Sequence, residues 1–227
     1  MATNISTNGI ANTAILHARL PYHEIRAPKD YIYYKVRVRG GLGGDALTDI
    51  TRQRANAIKV LANLLQVSIQ HQHVPLYLVR FEGGSSADEI PSSAEALVAI
   101  PADMDQDFKD IIIQGSCALQ AQYGVSDPDV EVLLDAAVWH GNLIDELSTR
   151  CLLADINAIP TGPLEMHPDI AGAALTSNSI GCVSMLRTDS CFALDITSSS
   201  FKPADLALLT SKIRQILEVS GAETIGC

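Results

Sequence analysis

From Tyr31 to Arg39 the chain reads YIYYKVRVR, and from Tyr34 onward apolar and basic side chains alternate without a break. Successive strand residues point to opposite faces, so Tyr34, Val36 and Val38 share one side while Lys35, Arg37 and Arg39 share the other. A strand of this kind belongs to a sheet with one covered face and one wetter face. It leads directly into Gly40-Gly41-Leu42-Gly43-Gly44, a glycine-dense turn. Thr51 to Gln70 follows, with Ala55, Ile58, Leu61, Leu65 and Ile69 at the three-and-four spacing of an amphipathic helix that would cover the apolar face.

The same reading extends along the chain. Val74–Phe81 and Ala94–Ile100 are aliphatic, flank the Gly83-Gly84 loop and are expected as two further strands. Asp103–Tyr123 is expected as a helix with Asp103 as its N-cap, after Pro101. Val130–Leu134 is a short strand candidate, and Leu143–Ile156 a helix closed by the turn Pro160-Thr161-Gly162-Pro163. Asn178–Leu186 and Cys191–Thr197 alternate around Thr188-Asp189 as a hairpin that turns Val183, Leu194 and Ile196 to the core. Pro203 opens a last helix, Ala204–Ser220, with Leu206, Leu209, Ile213, Ile216 and Leu217 on its buried stripe. The expected fold class is α+β, an antiparallel sheet with helices packed on one face and room for two related ββα halves. The expected organisation is a polar tail over residues 1–13 and one domain over 14–227.

Composition narrows the function classes. Lys plus Arg number 16 against 26 Asp plus Glu, a formal charge of -10 that repels phosphate backbones, so nucleic acid is not an expected partner. The stripe Lys35, Arg37, Arg39 reads as a solvated strand face, with an anion site as the alternative. Apolar runs are far shorter than the roughly 20 residues of a membrane span, and the first dozen residues lack the basic start and apolar centre of a secretion signal. No membrane partner is expected, and the expected location is the cytoplasm. The five cysteines (Cys117, Cys151, Cys182, Cys191, Cys227) form no C-x-x-C pair, and their odd count and apolar neighbours point to buried free thiols. His71 and His73 have a spacing that binds metal when both share a face, but no third ligand is in view. No metal and no cofactor is therefore expected.

The strand-turn segment Tyr31–Ile50, the helix after it and the block Phe81–Pro101 (FEGGSSADEIPSSAEALVAIP) together resemble the lid domain of the metal-dependent aminoacyl-histidine dipeptidases, the bacterial carnosinase-like di-zinc exopeptidases. That family writes the turn as G-L-K-G-G-H-S-G-x-D-I. Gly43, Gly44, Asp49 and Ile50 keep the pattern, and Asp45, Ala46 and Leu47 replace its His, Ser and Gly. His17–Pro28, Thr176–Met185 and Ser220–Cys227 are similar to the lead-in, a late strand and the exit of the lid. The resemblance implies a lid without its catalytic domain: no adjacent Glu-Glu pair or late histidine supplies zinc ligands here. It also implies a lost substrate grip. The turn histidine becomes Asp45, the R-N-A-I-P-R-E segment becomes Ala87–Ser93, and a late arginine becomes Thr197, so carboxylates stand where cations would hold a substrate carboxylate.

Three readings follow. The first is a non-hydrolytic association module, a homodimer or the partner of another protein, because an isolated sheet with free edges needs charge or a partner to block further pairing. The second is a repurposed enzyme or binder of a small molecule, with Asp45, Asp88, Glu89 and Asp195 as catalytic carboxylates and Thr197, Ser179 and Asn178 contacting substrate; paired carboxylates can serve as acid and base. The third is the lid subunit of a split dipeptidase. Against the second stands the reading of acidic residues in glycine-rich loops as turn formers.

Overall fold

The computed structural model describes residues 11–71 and 74–225. In chain order the elements of the first part are β1 (Asn12–Pro21), β2 (Glu24–Ile25), β3 (Tyr31–Arg39), β4 (Gly44–Asp45), α1 (Ala57–His71), β5 (Tyr77–Gly83), β6 (Glu89–Ile90), β7 (Ala94–Pro101), α2 (Asp105–Tyr123) and β8 (Glu131–Ala137). They are followed by β9 (Leu143–Ile144), α3 (Glu146–Ala158), β10 (Gly162–Met166), β11 (Ala174–Leu186), β12 (Cys191–Ser200), α4 (Pro203–Val219) and β13 (Glu223–Ile225).

One antiparallel sheet runs in the order β13-β1-β12-β11-β5-β7-β3-β8, with β10 paired on β11. Read outward from its middle, the order is β5-β7-β3-β8 on one side and β11-β12-β1-β13 on the other. Each side is a β-α-β-β-α-β unit with the same strand order. The first unit, β3-α1-β5-β7-α2-β8, lies in the chain between β1 and the rest of the second unit, β1-α3-β11-β12-α4-β13. The halves are therefore related, and each carries two strands and one helix more than a ββα unit. They meet edge to edge through one β-bridge, Val183 with Gly83.

All four helices cover one face, over a core that runs through both units and includes Val36, Leu61, Phe81, Phe108, Leu152, Phe192, Ile196 and Ile213. The alternation of β3 sets its orientation: Tyr34, Val36 and Val38 are buried. On the other face Lys35 pairs with Glu95 at 3.7 Å, Arg39 with Glu131 at 2.8 Å, and Arg37 with Asp135. The basic stripe is thus a solvated face of cross-strand ion pairs. That face is not bare throughout, because the two-stranded β2–β9 pair lies over a second small cluster of Val79, Leu97, Ala99 and Leu143, flanked by Tyr31, Tyr33, Tyr77 and Trp139.

Several local expectations shift. The helix expected from Thr51 begins at Ala57, because Ile50–Arg52 is a 3-10 turn and Gln53 takes a left-handed φ of 56° that no helix continues through. Asn56 caps it instead, its Oδ1 accepting the Lys59 N–H at 3.1 Å. Asp103 caps nothing: it lies in a 3-10 turn, and α2 starts at Asp105, whose carboxylate accepts from the Tyr34 hydroxyl and the Lys109 ammonium. At α3 the cap is Asp145, which accepts the Ser148 N–H at 2.7 Å, and Leu143-Ile144 before it is strand. The turn at Gly162-Pro163 opens into β10. Among the described residues strand structure begins at Asn12. The cysteines are free among the described residues, but only Cys191 is buried; Cys117 is exposed, because it rides the outer side of α2. His73, the His71 side chain and Cys227 lie outside the described residues. No helix among those residues is long and apolar enough to cross a membrane.

Candidate functional site

The glycine turn is held by its own bonds. Gly43 and Gly44 adopt φ of 58° and 140°, and a Cβ on Gly44 would stand 2.6 Å from Asp49 Oδ2 and 2.5 Å from Arg54 Nη1, so only glycine fits. Asp49 accepts the Asp45 N–H at 3.1 Å and pairs with Arg52 at 2.9 Å and Arg54 at 3.6 Å. Asp45 accepts the backbone N–H groups of Leu47 and Thr48, each at 2.8 Å, and the Thr48 hydroxyl at 3.2 Å. The bond from the Thr48 N–H, helped by the others, holds the Asp45 carboxyl below its ordinary value against a smaller effect of burial.

Strands β4 and β6 pair, which sets Asp45 opposite Glu89. Residues 84–90 then fold back over β11 and β12. Glu89 accepts the Ser85 backbone N–H and the Ser85 hydroxyl, the latter at 3.0 Å; Asp88 accepts from the Ser86 hydroxyl, and its carbonyl takes the Ala46 N–H at 2.8 Å. From the sheet, Thr197 donates to the Ala87 carbonyl at 2.7 Å and Ser179 to the Glu89 carbonyl at 2.9 Å. The approach is closest where Gly84 faces Gly181: a Cβ on Gly84 would strike the Gly181 carbonyl, and one on Gly181 the carbonyls of Ser86 and Ala87. A break in register between Ile180 and Cys182 makes room for it.

Asp195 lies apart from that loop, in a cross-strand row. His17 on β1 and Asp195 on β12 are register partners, with Nδ1 and Oδ1 2.7 Å apart, and Asp195 is in turn the partner of Cys182 on β11. Burial raises the Cys182 thiol, and the nearby carboxylates Asp195 and Glu89 push it further the same way, so it stays protonated and is no activated nucleophile. Asn178 is buried, donating to the Pro160 carbonyl at 2.7 Å and accepting the Ser198 hydroxyl at 2.7 Å.

The structure thus brings Asp45, Asp88 and Glu89 together on one loop pair and places Asp195 beside Cys182 and His17. His17 had no sequence signal toward Asp195, 178 residues away; its place in the alternation Ala14, Leu16, Ala18, Leu20 around exposed Ile15, His17 and Arg19 was the readable clue. Such an Asp–His pair is suited to moving a proton. Among the described residues no three His, Cys, Asp or Glu converge to hold a metal. Two concavities lie elsewhere, a groove of about 880 Å³ between α1 and α2 lined by Lys59, Leu64 and Tyr123, and one of about 260 Å³ bordered by Arg54, Asn56 and Ile90. Ser179 borders the second; the four carboxylates line neither.

The chain superposes on the crystal structure of aminoacylhistidine dipeptidase from Vibrio alginolyticus with a TM-score of 0.87 and 20% identity, over 99% of its own length and 46% of that protein. It has the fold of one part of a dipeptidase. In sequence it is 23% identical over 197 residues to the cytosol non-specific dipeptidase of Escherichia coli (strain K12), a match that takes in 87% of this chain and 40% of that protein. The chain therefore spans less than half the length of the dipeptidases it matches. No protein-family model matches it. An amidase of the hydantoinase/carbamoylase family from Burkholderia phymatum aligns over 66% of the chain with a TM-score of 0.38. The resemblance read from the glycine turn and the Phe81–Pro101 block is the one that the fold bears out.

Proposed function

We propose that this dipeptidase-like segment is a lid module that acts by association and does not itself hydrolyse dipeptides. One observation carries the reading: the side chains at the positions of the family's substrate grip are engaged in holding the module's own loops. Asp45 closes its turn through Leu47 and Thr48, and Thr197 fastens Ala87. Neither offers a cation to a substrate carboxylate, and the surrounding carboxylates Asp88 and Glu89 repel one. The sheet ends give the association its means. Strand β8 has β3 on one side and no described strand on the other, so its outer N–H and C=O groups are free for a second copy to extend the sheet. A cytoplasmic setting suits the free cysteines.

Sedimentation of the purified chain over a hundredfold range of concentration, together with a zinc-supplemented assay on a histidine-containing dipeptide, tests this. A concentration-dependent dimer without hydrolysis is expected. A strict monomer, or zinc-dependent cleavage, would overturn it. Co-purification with a zinc-bearing chain would move the reading to a split dipeptidase.

A second reading, a repurposed small-molecule enzyme or binder, is favoured by the His17–Asp195 pair beside Cys182. Its test is saturable binding of a small molecule that Asp195→Asn abolishes without changing the fold.

A further inference from the structure

Asp155 lies on the face of α3 turned toward the end of α4 and is only 4% exposed. Its Oδ1 accepts the Ser220 hydroxyl at 2.8 Å, while Oδ2 is buried with no hydrogen-bond partner. Ser220 is the residue at which α4 stops, and the N–H groups of Gly221 and Ala222 close that end on the carbonyls of Glu218 and Leu217 at 3.0 and 3.1 Å. Strand β13 starts at Glu223 and covers the outer edge of β1 at His17, Ala18 and Arg19. A buried half-bonded carboxylate thus sits under the joint between the last helix and the last strand.

Among the described residues no cation forms an ion pair with it. Lys59, from α1, reaches the same last turn of α3 but directs its ammonium to the carbonyls of Ile156, Asn157 and Ile159 and not to the Asp155 carboxylate. From β5, Arg80 pairs with Glu95 and Glu82 on the other face of the sheet. On α4 and β13, Glu218 and Glu223 are exposed, and Arg214 has interactions of its own. An ionised carboxylate in this place bears the full cost of desolvation, and the neutral acid does not.

We propose that Asp155 is a proton-operated latch for the C-terminal end of the sheet: protonated, it keeps the α4 terminus and β13 docked, and ionised it loosens them and bares the β1 edge beside His17. The direction follows from linkage. Burial raises the Asp155 carboxyl from 3.8 to about 6, opposed by the Ser220 hydrogen bond, so the docked state binds the proton more tightly than the loosened one. Loosening therefore grows tenfold per pH unit between about pH 4 and pH 6 and then levels off, about a hundredfold in all.

Hydrogen–deuterium exchange of peptides covering residues 218–225, corrected for the intrinsic exchange rate at each pH, reads this directly. In the native chain the opening constant of that segment is expected to rise about a hundredfold from pH 4 to pH 7 while segments in α1 and β7 stay level. In Asp155→Asn the segment should be as protected at pH 7 as the native chain is in acid. A native profile without the rise, or the same rise in Asp155→Asn, would overturn the proposal. Should that variant not fold, Ser220→Ala removes the hydrogen bond that favours the ionised form, so the rise should extend to higher pH; an unshifted profile would equally overturn it.

Discussion

The carboxylate of Asp127 stands 2.7 Å from the backbone nitrogen of Leu42, 85 residues earlier in the chain, and accepts its N–H. Its other oxygen accepts the N–H of Ala55 at 3.1 Å. One fully buried side chain therefore clamps both ends of the turn that contains Gly43, Gly44 and Asp45. Replacing it strands the buried Ala55 donor and the half-buried Leu42 donor. Asp127→Ala should lower stability by about 3 kcal/mol, read as a reduced urea midpoint with unchanged slope, and Asp127→Asn by less, since one acceptor oxygen remains.

Gly181 has no space for a side chain beneath the carbonyls of Ser86 and Ala87. Gly181→Ala must lift the 84–90 loop off β11, weakening the Ser179 and Thr197 bonds as well. A loss of about 2 kcal/mol or more is expected, with faster exchange of the Ser85–Glu89 amides than of the α1 amides. Equal protection of the two segments would show that the loop is held by something other than this contact.

Asp45 acts as a turn clamp, so its removal is a test of stability before it is a test of activity. Asp45→Ala should cost about 1 kcal/mol at neutral pH. Because folding lowers the Asp45 carboxyl, its contribution is present above the ordinary aspartate range and disappears as pH falls through the folded value. The gap between native and Asp45→Ala midpoints should accordingly close in acid, which paired urea titrations at pH 7 and pH 2.5 would show.

Lys59 follows the same sense in a more alkaline window. It caps the end of α3 through three carbonyls, and Lys59→Met should destabilise by about 2 kcal/mol at pH 7. Burial lowers its ammonium from 10.5 to about 8. Between those values the unfolded chain holds more protons than the folded one, so native stability rises with pH through that window relative to the variant. Allowing for the partial exposure of Lys59, the gap in unfolding free energy should widen by about 1 kcal/mol between pH 7 and pH 9.

The legible parts of the fold were those with local periodicity. The alternation of Tyr34 to Arg39, the stripe from Ile58 to Ile69 and the hairpin about Thr188-Asp189 each express a face that one helix or one neighbouring strand must cover, and they appear where the pattern puts them. Strand β1 is hard to read although Ala14 to Leu20 alternates, because its partners, β12 and β13, lie at the other end of the chain. The candidate site was legible in its parts and not in its connections. Asp45, Asp88 and Glu89 are neighbours as the glycine-rich blocks suggested, but whether a carboxylate is available or engaged depends on backbone N–H groups a few residues away, whose direction composition does not record. His17, Cys182 and Asp127 matter through register and burial, and both are set by pairing over long sequence separations.

The seam between Val183 and Gly83 has a mechanical consequence. With one bridge in the middle of so wide a sheet, the backbone contributes little stiffness across that line, and the two units are plates joined along a crease. Their mutual tilt is therefore set by side chains such as those of α1 and α3 packed above the crease, so substitutions there should re-angle one plate against the other while the interior of each stays as it is.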